Sequence, residues 1–414
     1  MSPRDPQQVE RRHVPPTVAR QSSLRDQNLS VVTRTLFASG GATSRAGLAE
    51  RTGLTRATVS RLCQELLDAG ILAEQRPAEN VRPGRPGTPL APASRTLAGV
   101  GIEVNIDYMA GRALDLAGNV LAEFKKPGTY ADSDPAAVLP ELGDLAVGLV
   151  EQVRATGARI VGTTLALPGL VESTTNTLLL APNLNWRMVE PVPLLGPRFA
   201  ALGVEVTIAN DAKLQGLAAA TLSPGRLAPD STFLYVSGDI GIGSAIIVEG
   251  QIEGGRHGWA GELGHISIEP DGPPCRCGSR GCLERYAGKY AVLEAADLPL
   301  DSPPGELLRR LEAGDERAHR AVHRAGWALG IGISDAINLI DISHVVLGTG
   351  LAPLVPWLLP AILRERDLRV LAARFLDIEI TGAAPDSSPA STGGALRALD
   401  AVITKPAQWL GTAC

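Results

Sequence analysis

Cysteine is scarce in this chain of 414 residues, which contains only five. An odd number, without an apolar leader at the N-terminus, argues against the disulfide framework of a small secreted protein. The first residues, MSPRDPQQVERRHVPP, lack the apolar core of a signal peptide, and no stretch approaches the roughly 18 consecutive apolar residues of a membrane span. These absences predict a cytoplasmic protein without a membrane partner.

Lysine is absent from residues 1–95, where 14 arginines stand against 8 acidic residues and give a charge of about +6. The remainder carries 25 basic and 36 acidic residues, about −11, so the whole chain has a net charge of −5. A basic N-terminal segment on an acidic body is typical of an anion-binding module on a soluble carrier. A solvated basic surface without a partner would give the same counts, so charge alone does not decide between the two.

The N-terminal segment contains a pattern for DNA binding. Residues 1–27 are polar and have no apolar period, which predicts a disordered arm. Residues 28–80 predict a winged helix-turn-helix: a first helix, a short helix, a glycine turn at 52–54, a second helix and an extended segment. Thr55 can cap the second helix, whose polar face would enter the DNA major groove. The side chains predicted to contact DNA are Thr55, Arg56, Ala57, Thr58, Ser60 and Arg61. An ordinary helical hairpin is the alternative, which the basic charge disfavours.

Residues 81–95 form the next segment, and VRPGRPGTPLAPA within it is rich in proline. Such a composition is typical of an interdomain linker. A second interpretation places Arg82 and Arg85, held in an extended GRP segment, in a narrow minor groove beside the half-site. Because a helix-turn-helix pattern lies just upstream, the second interpretation is kept beside the first.

Residues 96–414 alternate apolar, strand-like runs with helical segments, and polar or glycine-rich residues follow several of the strands. This order predicts an α/β body whose ligands bind at the strand ends. The most specific stretches are NDA (210–212), GELGHI (261–266) and CRCGSRGCLE (275–284). Through them the body, from about Leu97 to Asp400, resembles the ROK family of sugar kinases and sugar-responsive repressors. The resemblance implies an α/β, two-lobed, actin- and hexokinase-like body over residues 96–414, here preceded by an all-α winged helix-turn-helix domain.

The loop at 261–284 contains a candidate metal site. His265 with Cys275, Cys277 and Cys282 forms a Cys3His set. Structural zinc takes four such ligands in a closed tetrahedron. Reduced cysteines on a loop are the alternative. Together with the resemblance, the set predicts a structural Zn²⁺ that has no open position for water and holds the loop in place.

The resemblance also implies the sugar contacts. It assigns sugar hydroxyls to Glu262, to the second ring nitrogen of His265 and to Glu284, so the zinc would position the loop that carries all three. The other predicted sugar-binding residues are Asn183, Asn210 and Asp211.

In the kinases of this family, the residue that matches Asp211 is the general base, and it acts on a sugar beside a bound nucleotide. Their phosphate turn Asp-x-Gly-Gly-Thr corresponds here to EVNID (103–107), in which an isoleucine and a second carboxylate replace small residues. Their second turn, Gly-Thr-Gly-Ile-Gly, corresponds to Asp239–Gly243 and has gained a negative charge. Both changes disfavour phosphate binding, so no catalytic role is predicted for this chain.

The sequence therefore predicts a sugar-responsive, DNA-binding transcriptional regulator, a repressor of carbohydrate metabolism genes. Its predicted partners are double-stranded operator DNA, a sugar or sugar phosphate effector, and a second copy in a homodimer or a dimer of dimers. An active ATP-dependent sugar kinase with a DNA-binding appendage is the alternative. A regulator driven by a phosphotransfer protein is a third hypothesis.

Overall fold

The computed structural model describes residues 21–75, 88–303 and 305–411. Its N-terminal module consists of α1 (Gln21–Ala38), α2 (Arg45–Thr52), α3 (Arg56–Asp68), β1 (Leu72–Glu74) and β2 (Leu90–Pro92). Gly53, with φ of 71°, ends α2 and allows the tight turn that follows. The Thr55 hydroxyl accepts a hydrogen bond from the Thr58 amide (3.2 Å) and so caps α3. The predicted winged helix-turn-helix is confirmed.

The boundary of the predicted arm is wrong. The arm was expected to extend to residue 27, but α1 already begins at Gln21. Arg25, in the first turns of this helix, forms an ion pair with Glu65 of α3 (2.5 Å). A contact to a residue 40 positions away stabilises these turns, and no local pattern in the sequence predicts such a contact. Residues 1–20 lie outside the described residues.

The predicted linker over 81–95 is also wrong in part, because it contains a strand of the wing. β2 pairs antiparallel with β1, with Leu72 opposite Pro92. Leu90 is fully buried in the core of the module. Its backbone also exchanges two hydrogen bonds with Thr43 (2.9 Å each). The GRP segment with Arg82 and Arg85 lies outside the described residues.

The first lobe follows the module. Its elements are β3 (Leu97–Val104), β4 (Tyr108–Asp115), β5 (Val120–Pro127), α4 (Pro135–Ala155), β6 (Arg159–Leu167), β7 (Leu170–Glu172), β8 (Thr177–Ala181), β9 (Trp186–Val189), α5 (Pro191–Leu194), α6 (Pro197–Ala200), β10 (Val206–Asn210), α7 (Asp211–Ala219), β11 (Thr221–Ser223) and β12 (Arg226–Leu227). Strand β3 is an almost continuous apolar run and is buried throughout, as expected for a sheet covered on both faces, and β6 is buried over its second half.

The second lobe follows in the chain. Its elements are β13 (Phe233–Gly238), β14 (Ile242–Val248), β15 (Gln251–Ile252), α8 (Glu284–Ala287), α9 (Lys289–Ala295), α10 (Glu306–Glu312), α11 (Glu316–Ile340), β16 (His344–Leu347), α12 (Val355–Arg369) and β17 (Glu379–Gly382). The last helix, α13 (Pro389–Thr404), returns to the first lobe.

The main sheets of the two lobes share one topology. The strand orders are β5-β4-β3-β6-β10 and β15-β14-β13-β16-β17. In each sheet the three strands that come first in the chain pair antiparallel, and the next two add in parallel. Because parallel strands end at the same edge of a sheet, their carboxyl ends present the following loops together.

Helix α13 joins the first lobe to the DNA-binding module. It lies so close to the sheet that a Cβ on Gly101 would come 1.9 Å from the carbonyl oxygen of Ser391. Further along the helix, Leu399 and Val402 are fully buried in a core that they share with Leu36 of α1. The module is therefore packed on the body through side chains far apart in sequence. Among the described helices, none is both long and apolar enough to cross a membrane.

Candidate functional site

A cleft of about 630 Å³, counted with its open mouth, lies between the lobes at the ends of their strands. Its lining includes every predicted sugar-binding residue: Asn183, Asn210, Asp211, Glu262, His265 and Glu284. The first lobe adds Asn105 after β3 and Gly169 after β6, and the second lobe adds the turn at residues 239–241 between β13 and β14 together with the first two residues of β14. The fold thus gathers residues from distant parts of the sequence into one polar site.

Asp211 is the first residue of α7 and directly follows β10. Its Oδ1 accepts a hydrogen bond from the Ala212 amide (2.8 Å). Burial in the cleft and, after it, the nearby Asp239 carboxylate together raise the pKa of this carboxyl to about 7. Such a group is a good acceptor for a ligand hydroxyl and a suitable proton acceptor near neutral pH.

Asn210 lies in the cleft wall, but both ends of its amide already have partners. Its Oδ1 accepts from the Lys213 amide (3.0 Å) and so caps α7. Its Nδ2 donates to the carbonyl oxygen of Gly169 (3.0 Å). Asn210 therefore fixes the position of Asp211 and of the loop after β6, and its free hydrogen-bonding capacity toward a sugar is small.

Glu262 lies just before a 3₁₀ turn, Leu263–His265, that leads into the cysteine loop. Burial raises the pKa of its carboxyl, while His265 and Lys213 oppose that rise. Lys213 itself is only 7 % exposed, and burial lowers the pKa of its ammonium group. Sequence reasoning missed this lysine, although its place two residues after Asp211 in the first turn of α7 could have indicated it.

Glu284 opens α8 and faces the cleft beside Asn183, with 3.4 Å between the carboxylate Oε2 and the amide Nδ2. The carboxylate also lies against the turn between β13 and β14. A Cβ on Gly241 would come 2.1 Å from Glu284 Oε2, so this approach requires a glycine at that place.

The four predicted metal ligands converge. The ligating atoms of His265, Cys275, Cys277 and Cys282 all lie within 4.8 Å of one another. Sγ of Cys275 is 4.0 Å from Nδ1 of His265, and the sulfurs of Cys277 and Cys282 are 3.7 Å apart. Tetrahedral zinc with Zn–S bonds of ~2.3 Å separates its ligand atoms by roughly 3.8 Å, so the donor set fits this ion. Burial raises the pKa of the Cys275 thiol to about 12, so a cation is needed for it to ionise near neutral pH.

His265 connects this cluster with the cleft. Its Nδ1 faces Cys275, while the residue also lines the cleft beside Glu262 and Glu284. A ring that is ligated through one nitrogen keeps the other free for an oriented hydrogen bond. The cluster therefore sits where it can position the side chains of the loop that face the cleft.

The opposite end of the cleft is rich in carboxyl groups. Asp239 accepts a hydrogen bond from Nδ2 of Asn105 (3.2 Å), and burial raises the pKa of its carboxyl. Glu103 is 2 % exposed, and burial raises its pKa to about 8. Asp107 forms an ion pair with Lys289 (2.6 Å), and both residues line a second cavity of about 1090 Å³, counted in the same way as the cleft. The walls of that cavity are mainly aliphatic, with Val292, Leu293, Leu307, Leu308, Leu351, Leu354 and Leu358 among them.

The candidate DNA-binding face is the exposed side of α3. Of the residues predicted there, Thr55, Arg56, Ala57, Ser60 and Arg61 are exposed, and Thr58 is half-buried against the Thr55 hydroxyl (2.9 Å). Within the described part of the chain, neither Arg56 nor Arg61 forms an ion pair, so both guanidinium groups are available to a partner. Cys63, on the opposite side of the helix, is fully buried in the core of the module.

Two lobes with repeated sheets, a polar cleft between them and a winged helix-turn-helix on one lobe define an actin- and hexokinase-like protein with a DNA-binding module. Comparison with known families agrees with this class. The ROK family model matches residues 99–395, and the chain belongs to that family. The IclR helix-turn-helix domain model matches residues 35–76.

Curated relatives resemble the chain over most of its length. The xylose repressor of Bacillus spizizenii is 26 % identical over 328 residues, which cover 79 % of this chain and 83 % of that protein. The DNA-binding transcriptional dual regulator NagC of Escherichia coli is 27 % identical over 338 residues, which cover 78 % of this chain and 80 % of that protein.

Solved structures confirm the fold. A ROK family transcriptional regulator described as a homolog of the E. coli MLC protein has a TM-score of 0.76 and 24 % identity, and covers 94 % of this chain and 99 % of that chain. The ROK hexokinase of Thermus thermophilus has a TM-score of 0.57 and 26 % identity, and covers 72 % of this chain and 97 % of that chain. The match to the regulator structure thus includes the DNA-binding module, whereas the match to the hexokinase covers a smaller part of this chain.

Proposed function

We propose that this protein is a transcriptional regulator whose binding to operator DNA depends on a sugar in the cleft between the lobes. The observation that carries the proposal is the direct packing of the helix-turn-helix module on the lobe that contains Asp211. The names of the relatives, which are repressors and a transcriptional regulator, support a repressor of carbohydrate metabolism genes. A cytoplasmic location follows from such a DNA partner.

The DNA contacts are assigned to the exposed face of α3. Arg56 and Arg61 would form paired hydrogen bonds with guanine edges in the major groove, while Thr55, Ala57, Thr58 and Ser60 contact phosphates or base edges. Arg82 and Arg85, in the segment between β1 and β2, are proposed to enter the adjacent minor groove. The pairing of β1 with β2 supports this placement, because the segment that contains the two arginines then connects two strands of the wing.

The effector is proposed to be a sugar held by Glu262, His265, Glu284, Asn183 and Asp211, with Asn210 in the wall. Carboxylates accept, and an amide both donates and accepts, so together they suit the vicinal hydroxyls of a pyranose. A structural Zn²⁺ held by His265, Cys275, Cys277 and Cys282 would supply no chemistry of its own and would fix the loop. His265, Glu262 and Glu284 would then be positioned by a single rigid loop.

The kinase alternative is supported by the kinase among the matching structures and by the position of Asp211. Two features of this chain oppose it. Ile106 and Asp107 occupy the turn after β3, and Asp239 lies at the start of the second turn, so carboxylates stand where phosphates would bind. We therefore propose a regulator without kinase turnover.

A homodimer is proposed because one helix-turn-helix contacts only one half-site. The exposed apolar residues of the second lobe support contact through the body. Leu371 is 92 % exposed, Phe375 87 % and Leu339 80 %. Asn338 brings the two segments together, since its side chain bonds the Arg369 carbonyl oxygen and the Leu371 amide (3.0 Å each). Such a patch is larger than scattered surface leucines and is typical of an interface.

The experiment that tests the function combines operator selection with effector titration. Bound genomic fragments are sequenced, and release of one of them is followed with a panel of sugars and sugar phosphates. Glu262→Ala should weaken the effector response by about 1–3 kcal/mol in affinity and leave DNA binding without effector unchanged. ATP-dependent sugar turnover at an enzymatic rate, without sequence-specific DNA binding, would favour the kinase instead.

A further inference from the structure

A second hollow adjoins the interlobe cleft on the far side of Asn183 and Glu284. It has about 430 Å³ of free space, counted with its mouth, and shares four lining residues with the cleft: Ile106, Asn183, Ile240 and Glu284. The other polar groups on its walls are Arg276, Arg285 and Tyr290. None of the carboxyls at the opposite end, such as Asp211 or Asp239, belongs to it. A ligand that fills the cleft and extends past Glu284 would therefore meet guanidinium groups.

Arg285 is an arginine without an acceptor. Its Nε is fully buried and has no hydrogen-bond partner within the described ranges. Over the same residues it forms no ion pair, although Glu284 is its neighbour in the chain. A buried donor that lacks an acceptor destabilises the folded protein, and more strongly when it is charged. The side chain thus has an unused capacity for an anionic acceptor at the wall of the hollow.

Arg276 provides a second, partly occupied guanidinium group. Its Nη1 contacts both carboxylate oxygens of Asp132 (3.0 and 3.1 Å), and its side chain is half exposed. It stands between the metal ligands Cys275 and Cys277, so the loop that holds the cluster also determines where it lies. Two guanidinium groups in one hollow suit a phosphate or a carboxylate, which accepts several charge-assisted hydrogen bonds at once.

The other end of the cleft disfavours an anion. Glu103, Asp211 and Asp239 approach one another there, and their mutual repulsion adds to the effect of burial on their pKa values. A charged group placed near Asp211 would meet carboxyls, whereas one placed past Glu284 would meet arginines. The charge distribution along the cleft is therefore asymmetric, and it fixes the direction of a charged ligand.

We propose that the effector of this protein is an anionic sugar, a phosphate ester or a sugar acid, whose charged group binds Arg285 and Arg276. The charged group lies past Glu284, at the end of the sugar opposite the hydroxyl that faces Asp211. The inference rests on the proposed function, in which the cleft binds a sugar, and it specifies the class and the orientation of that sugar.

The test is isothermal titration of the full-length protein with matched ligands in two series, glucose and N-acetylglucosamine. Each series contains the neutral sugar, its 1-phosphate and its 6-phosphate, and glucuronate serves as the carboxylate. One anionic member should bind at least about tenfold more tightly than its neutral parent. Arg285→Gln should remove most of that advantage and change the affinity of the neutral parent by less than about threefold. The better of the 1- and 6-phosphates identifies the end of the sugar that carries the charge.

Arg280→Gln is the matched control, since it removes the same charge from an exposed position on the same loop. Arg276→Gln, checked for zinc content, is a second variant if Arg285→Gln proves unstable. Equal affinity for neutral and anionic sugars, or an anionic preference that survives both substitutions, would overturn the inference and leave the sugar sensor intact. If no member of either series binds and Glu262→Ala changes nothing, the proposed function itself fails.

Discussion

The charge of the Asp211 carboxyl depends on its place in the cleft. Burial, Asp239 and Glu262 raise its pKa to about 7, and the Ala212 amide opposes them. Between pH 3.8 and about 7, this carboxyl is ionised in the unfolded chain but still protonated in the folded protein. Stability contributed by this group therefore falls as the pH rises from about 4 to about 7, and the full penalty is present above that.

We accordingly expect Asp211→Asn to raise the free energy of unfolding at pH 8 by about 1–2 kcal/mol, since solvent in the open cleft screens part of the effect. The difference in free energy of unfolding between the variant and wild type should grow between pH 5.5 and 7 and then level off. Denaturant unfolding of both proteins across this range, with zinc present throughout, measures it. A gain that is constant with pH would mean that the carboxyl titrates well below the measured range.

Individual site residues were predictable to different degrees. His265, Cys275 and Glu262 stand in short, specific motifs that resemble those of the ROK family, and this resemblance was what predicted them for one site. Asn210 was predicted as a sugar ligand, but the structure shows its amide engaged by the helix it caps and by Gly169. The partnerless state of Arg285 depends on what surrounds it in space, which spacing in the sequence does not reveal.

At the scale of elements, the cysteine loop is a short, irregular segment held by its own turns. Backbone bridges pair Ser267 with Cys282 and Pro274 with Arg280. A Cβ on Gly281 would come 1.7 Å from the carbonyl oxygen of Glu269, so the loop crosses itself without space for a side chain. Apolar side chains near both ends of the loop are anchored in the core of the second lobe, and metal ligation would stabilise the cysteine segment between them.

Cys277→Ser should therefore reduce zinc from about one per chain to well below stoichiometry, because the Cys3His set loses a thiolate. Effector affinity should fall with it, while binding to DNA without effector is retained. Elemental analysis of protein purified without a metal-affinity step gives the zinc content, and titration with the effector then gives its affinity. Asp271→Ala, at an exposed position of the same loop outside the ligand set, is the control. A metal-free variant with wild-type sugar affinity would contradict the positioning role.

Helix α3 carries the exposed arginines that we propose for base recognition. Arg61→Ala should weaken binding by about 1–3 kcal/mol and relax sequence preference at one or two operator positions, because a guanidinium reads guanine edges. Selection from an operator library, compared between wild type and variant, measures the loss position by position. Arg320→Ala, at an exposed position of α11 in the second lobe, should leave the selected sequence unchanged. Uniform weakening at every position would instead assign Arg61 to a phosphate.

The elements themselves were largely predictable, and their boundaries less so. The caps at Ser44 and Thr55 and the turn at Gly53 are local signals, and α2 and α3 lie where those signals indicate. Strand β2 was not predicted, because its proline-rich surroundings are typical of a linker. It is recognisable only through its pairing with β1 and through the burial of Leu90.

At the scale of the whole molecule, two helices extend from the cleft to the DNA-binding module. Helix α7 begins at Asp211 and leads into β11 and β12, where a Cβ on Gly225 would come 2.7 Å from Phe37 of α1. In α13, the Ser391 amide donates to the buried Glu103 (3.1 Å), and Leu399 packs in the core shared with α1. The alternation of strands and helices predicted the lobes, but these contacts join residues roughly 180 to 360 positions apart, and no local pattern encodes them.

The proposed homodimer would form through the second lobe. Leu339, Leu371 and Phe375 are among the most exposed large apolar side chains of the described residues, and Asn338 holds their segments together. Both signs of charge flank them, as in the pairs Arg366–Asp367 and Arg369–Glu365. A two-fold interface places a patch against its own copy, so apolar residues with a rim of mixed charge suit self-association.

Phe375→Asp should therefore raise the dimer dissociation constant by at least about tenfold, because it buries an unpaired carboxylate in the interface. Operator affinity should fall with it, since two joined modules are needed to contact both half-sites at once. Sedimentation at graded concentrations measures the dimer dissociation constant, and titration with operator DNA measures the operator affinity. Met188→Asp is the matched control: this side chain is 71 % exposed on β9 of the first lobe, outside the patch. If Phe375→Asp remains as dimeric as the control, the copies associate through another surface. A wild-type monomer at working concentrations, with and without operator, would rule out the homodimer altogether.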